Sequence, residues 1–112
     1  MDASEFEKSK IFTVAKMVDY ESGGMFMKSI LKKATGHVRA VVIAEGEQIS
    51  ENFSRFDHFI QIIEGKANVQ IDDNLFTLLT GESIIIPAHS KSTINANERF
   101  KMISTIIKSG YE

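Results

Sequence analysis

The chain of 112 residues contains no cysteine. This absence excludes disulfide bonds, thiolate metal sites and thiol nucleophiles. Long hydrophobic runs are also lacking, because the longest ones, AVVIA at 40–44 and IIIPA at 84–88, are far too short to cross a bilayer. We therefore expect a soluble cytoplasmic protein that does not associate with a membrane.

An excess of positive charge is missing as well. The net charge is −2 and the lysines are scattered along the chain, whereas a nucleic-acid partner usually selects a basic face. Hydrophobic residues make up 43% and charged residues 25%, which is typical of a globular protein. The length predicts one domain. We expect an N-terminal lead-in or edge segment over 1–24 and a single domain over 25–112.

The stretch from Phe59 to Pro87 organises the rest of the chain. It holds three β-type runs that are separated by Glu64-Gly65-Lys66, Asp72-Asp73-Asn74 and Thr80-Gly81-Glu82. Short apolar runs between such turn residues are typical of consecutive antiparallel strands. Asp and Asn tolerate left-handed backbone conformations, so the second break can form a tight hairpin without glycine.

Other segments add further strands. Alternation predicts a strand from Met25 to Lys32, and β-branched residues predict another from His37 to Ala44. The segment from Arg99 to Lys108 is predicted to be the last strand, with apolar residues on both faces. One face would contact the barrel interior, and the other either the N-terminal segment or a second subunit. Ile11 to Tyr20 fits an edge strand followed by one helical turn, or a helix.

Two polar segments are predicted to be irregular. These are the loop from Glu47 to Asp57, where function tends to reside on a β scaffold, and the return from His89 to Asn97. The run Ile84-Ile85-Ile86 is predicted to be a strand buried on both faces, which Pro87 ends. Eight or so short strands with frequent turns indicate an all-β barrel or sandwich.

From about Met25 onward the sequence resembles a small single-domain cupin of the RmlC-like kind. Gly46 and Gly65 match the two ends of the family's first motif, and Gly81 and Pro87 match the start of the second. The resemblance implies a double-stranded β-helix, or jelly-roll, barrel that is frequently a homodimer.

The resemblance also places the family's metal ligands. In place of His, His, Glu and His, this chain has Asn52, Ser54, His58 and Ser92. Only one good ligand remains, and amides and hydroxyls compensate poorly for the dehydration of a transition metal. We therefore predict no metal and no other cofactor. His89 and Ala96 also depart from the second motif, where the family has glycine and asparagine.

His58 admits three interpretations. It can be a neutral imidazole that forms hydrogen bonds with Asn52, Ser54 and Ser92, a residue that contacts a small ligand, or a metal ligand. A His-Asp catalytic pair with Asp57 is disfavoured, because adjacent residues of a strand face opposite sides. Of the other histidines, we expect His37 on the surface and His89 in a solvated loop near the mouth of the barrel.

These observations leave three functions. The first is a non-catalytic or ligand-binding homodimer whose mouth, lined by Asn52, Ser54, His58 and Ser92, holds a small polar molecule or water. The second is a diverged enzyme of the dioxygenase or isomerase class that uses His58. The third is a dimerisation module for another protein. Phe53, Phe56 and Phe59 are expected to seal the mouth or the core.

Overall fold

The computed structural model describes residues 7–20, 24–52 and 54–108, apart from the side chain of Asn52. Over these residues the chain forms one short 3-10 turn, Val14–Lys16, and a series of β-strands. The strands are β1 (Met25–Lys33), β2 (Gly36–Ile43), β3 (Gln48–Asn52), β4 (Asp57–Glu64), β5 (Lys66–Ile71), β6 (Asn74–Leu79), β7 (Ser83–Ile86), β8 (Lys91–Asn95) and β9 (Phe100–Ile107).

The strands pack as two antiparallel sheets. The five-stranded sheet has the order β1-β2-β9-β4-β7, and the four-stranded sheet has the order β3-β8-β5-β6. The last strand, β9, therefore lies at the centre of the first sheet, between β2 and β4. The predicted all-β jelly-roll architecture is confirmed.

The turns of the central stretch follow from local chemistry. Asp72 adopts a φ of 52° between β5 and β6, so an aspartate does occupy the left-handed position of this hairpin. Gly65 joins β4 to β5 with a φ of 97°, and a Cβ at this position would lie 2.7 Å from the carbonyl oxygen of Arg99. Glycine is therefore required there both by the backbone conformation and by the close approach of β9.

Three predictions about the strands are wrong. The loop expected over 47–57 contains β3, and the return expected over 89–97 contains β8. Both strands carry polar residues on their outer face and one polar residue on their inward face, Glu51 on β3 and Ser92 on β8, so no continuous apolar period marks them. The run Ile84–Ile86 is not buried on both faces. It forms the edge strand β7, and Ile85 is 60% exposed.

A large cluster of apolar side chains forms the core between the two sheets. Its centre is formed by side chains that are at most 1% exposed, on β2, β4, β5 and β9: Val41, Ile43, Ile60, Ile62, Ala67, Val69, Phe100 and Met102. Burial of apolar surface on this scale is the main stabilising contribution to the fold.

The N-terminal segment packs on the outer face of the five-stranded sheet and forms no strand between residues 11 and 20. Val18 is buried there against Ala40 and Val42. Tyr20 donates a 2.7 Å hydrogen bond to Glu64, and its ring lies between Arg99 and Lys101, 4.1 and 4.8 Å from the two cationic groups.

Within the residues that the structure describes, no helix has both the length and the apolar character needed to span a membrane.

Candidate functional site

Toward one end of the barrel, the inward face changes from apolar to polar on five strands. On each of these strands, the inward side chain that follows the last core residue is polar. The last core residues include Val41 on β2, Ile60 on β4 and Met102 on β9. We call these residues the mouth layer: Arg39 on β2, Glu51 on β3, His58 on β4, Ser92 on β8 and Ser104 on β9.

The centre of the mouth layer is a chain of hydrogen bonds across three adjacent strands. The Nε2 of His58 lies 2.5 Å from the hydroxyl oxygen of Ser104. Arg39 donates from Nη2 to the same hydroxyl oxygen at 3.4 Å. The register explains this contact, because Arg39 lies directly opposite Ser104 in the pairing of β2 with β9.

Within this hydrogen-bonded group of Arg39, Ser104 and His58, two polar atoms are buried without a hydrogen-bond partner in the structure. They are the Nδ1 of His58, whose residue is 6% exposed, and the Nε of Arg39. Buried polar groups in native proteins nearly always have a partner, which is a protein atom, a water or a ligand. The mouth layer therefore has unused hydrogen-bonding capacity.

The charges of the layer are strongly affected by their surroundings. Burial, assisted by the positive charge of Arg39, lowers the pKa of His58 to about 4, so its imidazole is neutral at pH 7. Burial also lowers the pKa of Arg39, while the negative charge of Glu51 acts in the opposite direction. A guanidinium remains protonated despite such a shift.

Further polar groups surround Arg39. Its Nη1 donates to the sulfur of Met27 on β1 at 2.9 Å, which is a weak acceptor. On the same inward face, Ser29 and the Nε2 of His37 form a 2.8 Å hydrogen bond. His37, which was expected on the surface, is partly buried on this face beside β1.

The sequence-predicted site residues are only partly brought together. His58 and Ser92 are buried and face inward. Ser54 is engaged locally, since its hydroxyl oxygen accepts a 3.3 Å hydrogen bond from the amide of Phe56. The backbone of Asn52 ends β3, opposite Lys91, while its side chain and the whole of Phe53 lie outside the described residues.

The predicted hydrogen bonds of His58 with Ser54 and Ser92 are not observed. The partner is Ser104, which sequence reasoning missed, and Phe59 is on the outer face of its strand rather than at the mouth. Asp57 faces away from His58, as expected, and accepts a 2.8 Å hydrogen bond from the amide of Ala88. His89 is exposed near the mouth and keeps a left-handed φ of 68° where the family has glycine.

Arg39 was also missed as a member of the site, and Glu51 was considered only as a carboxylate that could join His58 and His89 around an ion, an arrangement that was disfavoured. The signal that could have found them is strand periodicity, because Arg39 is two residues before the core residue Val41 and Glu51 is two residues after Ile49. Ser104 has the same relation to Met102.

The residues at this site do not fit a transition metal. Over the described part of the chain, no three His, Asp or Glu side chains come together in a way that could hold a metal ion. The guanidinium of Arg39 shares a hydroxyl with the only imidazole of the layer, so a second cation would be repelled there.

Comparison with solved structures identifies the fold. A conserved protein of unknown function from Streptococcus pyogenes superposes with a TM-score of 0.86 at 22% identity, covering 93% of this chain and 91% of that chain. A cupin superfamily protein from Desulfitobacterium hafniense gives a TM-score of 0.79 at 19% identity, covering 94% and 95% of the two chains. An RmlC-like cupin from Shewanella frigidimarina gives 0.75 at 16% identity and covers 96% of both.

The chain is therefore a small cupin-fold protein, and the predicted cupin jelly roll is confirmed. Comparison of the sequence with family models and with curated proteins gives no match.

Proposed function

We propose that this protein is a non-catalytic, small-molecule-binding cupin whose barrel mouth, near Asn52, Ser54, His58 and Ser92, holds a small polar ligand without a metal. The observation that carries the proposal is the hydrogen-bonded chain of His58, Ser104 and Arg39 at the position where the family holds its metal ligands. The unpartnered Nδ1 of His58 supports a polar occupant, because this buried atom needs a partner.

Screening a library of polar metabolites by thermal shift, together with mass spectrometry of molecules released from the purified protein, tests the proposal. We expect a ligand that stabilises the wild-type protein and loses its effect in His58→Ala. The matched control is His89→Ala, which removes an exposed histidine near the same mouth and should leave ligand binding unchanged. A ligand that stabilises both variants equally, or a protein that responds to no ligand, would contradict the proposal.

The competing function is an enzyme that uses His58 as a general base. The lowered pKa of His58 supports binding over this alternative, because a base with a pKa of about 4 is weak at neutral pH. An activity screen on sugars, quinols and keto acids separates the two functions. Turnover by the wild-type protein that disappears in His58→Ala, while the thermal unfolding temperature is kept, would favour the enzyme.

We also propose that the protein is a homodimer. The N-terminal segment covers the part of the five-stranded sheet formed by Ala40 and Val42. Toward β7, the outer face presents Phe59, Ile85 and Ile107, which are 38%, 60% and 52% exposed and line a shallow cavity of about 250 Å³. A contiguous apolar face at a sheet edge suits a second copy of the same chain.

Light scattering coupled to size-exclusion chromatography tests this interface. The wild-type protein should have the mass of a dimer, and Ile85→Glu should be a monomer, because a buried unpaired carboxylate is costly. Leu75→Glu is the matched control, since Leu75 is 75% exposed on β6 of the other sheet. A monomeric wild-type protein, or a dimer that survives Ile85→Glu, would rule this interface out.

Two further proposals rest on the sequence alone. They are the division into a lead-in over 1–24 and a single barrel domain over 25–112, and the cytoplasmic location.

A further inference from the structure

The barrel mouth contains an arginine whose charge has no close acidic partner. Arg39 is one of three arginines in the chain, and it faces the barrel interior, whereas Arg55 and Arg99 are exposed. Among the described residues, no carboxylate lies within ion-pair distance of its guanidinium. Its guanidinium contacts the hydroxyl of Ser104 and the sulfur of Met27, and its Nε is buried without a partner.

A partly buried guanidinium in this state is incompletely satisfied. Five N–H donors form a planar fork that matches a carboxylate through two parallel hydrogen bonds. Arg39 uses one donor on a neutral hydroxyl at 3.4 Å and another on a thioether, which are both weaker partners than an oxyanion. Its remaining donors are available for a ligand.

A second, independent observation also indicates a ligand. The Nδ1 of His58 is buried and unpartnered, and the residue is 94% buried. When Ser104 donates its hydroxyl proton to Nε2, the neutral imidazole carries its own proton on Nδ1 and becomes a hydrogen-bond donor. Arg39 and His58 are linked through this one hydroxyl, so the layer offers donors from both sides of Ser104.

We infer that the barrel mouth binds a small monocarboxylate, whose carboxylate group pairs with the guanidinium of Arg39. This inference rests on the proposed function and specifies the chemical class of its ligand. The guanidinium of Arg39, which has no carboxylate partner, supplies the positive charge for one carboxylate. The negative charge of Glu51, which faces inward on β3, disfavours a ligand with a second negative charge, and His58 is neutral at pH 7.

The residues around the mouth limit the length of the ligand beyond its carboxylate group. Directly below the mouth layer, the interior is filled by Val41, Ile60 and Met102, which are at most 1% exposed. Native packing of this kind leaves no room for a long chain to enter the core. The ligand should therefore be short, with its apolar part against Met27 at the rim.

Nuclear magnetic resonance titration of the full chain tests the inference directly, because the Nε–H of Arg39 and the ring of His58 give separate signals. The probes are butyrate and benzoate, with butyramide as a neutral isostere of butyrate and inorganic phosphate as an anion of different shape and charge. We expect butyrate or benzoate to shift the Arg39 and His58 signals in a saturable way, and butyramide to have at least about tenfold lower affinity.

Three variants define the role of the charge. Arg39→Gln should weaken carboxylate binding by about ten- to hundredfold, because it removes a charge-assisted pair. Arg39→Lys keeps the charge without the fork and should give an intermediate loss. Arg99→Gln makes the same change at the opposite end of β9 and should alter the affinity by no more than about twofold. The dispersion of the amide spectrum verifies that each variant is folded.

The possible outcomes separate this inference from the proposed function. Butyrate binding that is lost in Arg39→Gln supports both. Butyrate and butyramide could instead shift the His58 signal with equal affinity, in the wild-type protein and in Arg39→Gln alike. This result overturns the carboxylate assignment and supports a ligand-binding mouth. Phosphate binding through Arg39 in preference to both carboxylates also overturns it. The absence of any shift at Arg39 and His58 with all four probes contradicts the inference, and the library screen then decides the proposed function.

Discussion

The closed end and the mouth of the barrel are built from the same strands and yet are chemically opposite. At the closed end, the inward residues of β2, β4 and β9 are apolar and almost completely buried, as in Ile43, Ile62 and Phe100. At the mouth, the inward residues of the same strands are Arg39, His58 and Ser104. The same strands form both ends, so the difference between packing and chemistry lies in the inward side chains.

The comparison shows how this protein can keep a fold while its site changes. Apolar layers supply most of the stabilisation, and their members contact one another. In the mouth layer, Arg39, Ser104 and His58 are joined by hydrogen bonds that are each worth about 1 kcal/mol. Substitutions at the mouth should therefore leave the frame intact and alter only what the mouth can hold.

The largest expected effect lies at the closed end. Phe100→Ala should lower the free energy of unfolding by about 3–5 kcal/mol, because Phe100 is 0% exposed and its removal leaves a cavity. Urea denaturation of the variant measures the change. Phe76→Ala, at a site that is 40% exposed on β6, is the control and should cost about 1 kcal/mol. Equal losses for the two variants would remove the distinction between a packed end and the rest of the barrel.

The pH dependence of stability sharpens the comparison at the mouth. The pKa of His58 is about 4 in the folded protein and about 6.5 in the unfolded chain, so the unfolded state binds the proton first as the pH falls. The contribution is fully present above pH 6.5 and is lost between about pH 6.5 and pH 4, with a total of about 3 kcal/mol.

The measurement is the unfolding free energy of the wild-type protein and of His58→Gln at a series of pH values. The difference between the two curves isolates His58 from the carboxylates that also titrate in this range. The wild-type protein should lose more stability on acidification than the variant. Parallel curves would mean that the imidazole is not buried beside Arg39.

A smaller effect is expected for the hydroxyl that links the layer. Ser104→Ala should destabilise the protein by about 1–3 kcal/mol, because it leaves the Nε2 of His58 without its partner in a buried position. Chemical denaturation measures this effect as well. Ser50→Ala is the control, since Ser50 forms a 3.4 Å hydrogen bond with Thr93 on the exposed face of β3, and it should change stability by about 0.5 kcal/mol or less. If Ser104→Ala leaves the free energy of unfolding unchanged, Ser104 does not link the residues of the layer.

The fold was predictable where its determinants are local. Gly65, Gly81 and the Asp72 hairpin mark turns through backbone conformations that only a few residue types adopt, and Pro87 follows the end of β7. The order of strands in a sheet depends instead on residues far apart in sequence. This is why β7 was expected to be buried on both faces, whereas it is an edge strand with an exposed outer face.

The site was predictable only in part for the same reason. His58 and Ser92 were found through the resemblance to cupins, which places the mouth on known motif positions. Ser104, the partner of His58, is 46 positions away in the sequence, and Arg39 is 65 positions from Ser104. Only the register of β9 with β2 and β4 brings these three residues together.

The metal content of the purified protein tests most directly whether the mouth has exchanged a metal site for a polar, arginine-containing layer. The protein is prepared without chelators, incubated with Mn²⁺, Fe²⁺, Ni²⁺ and Zn²⁺ in separate samples, desalted, and measured by inductively coupled plasma mass spectrometry. We expect far less than one ion per chain in every sample, with no difference between the wild-type protein and His58→Ala. One tightly held ion per chain that is lost in His58→Ala would contradict the account.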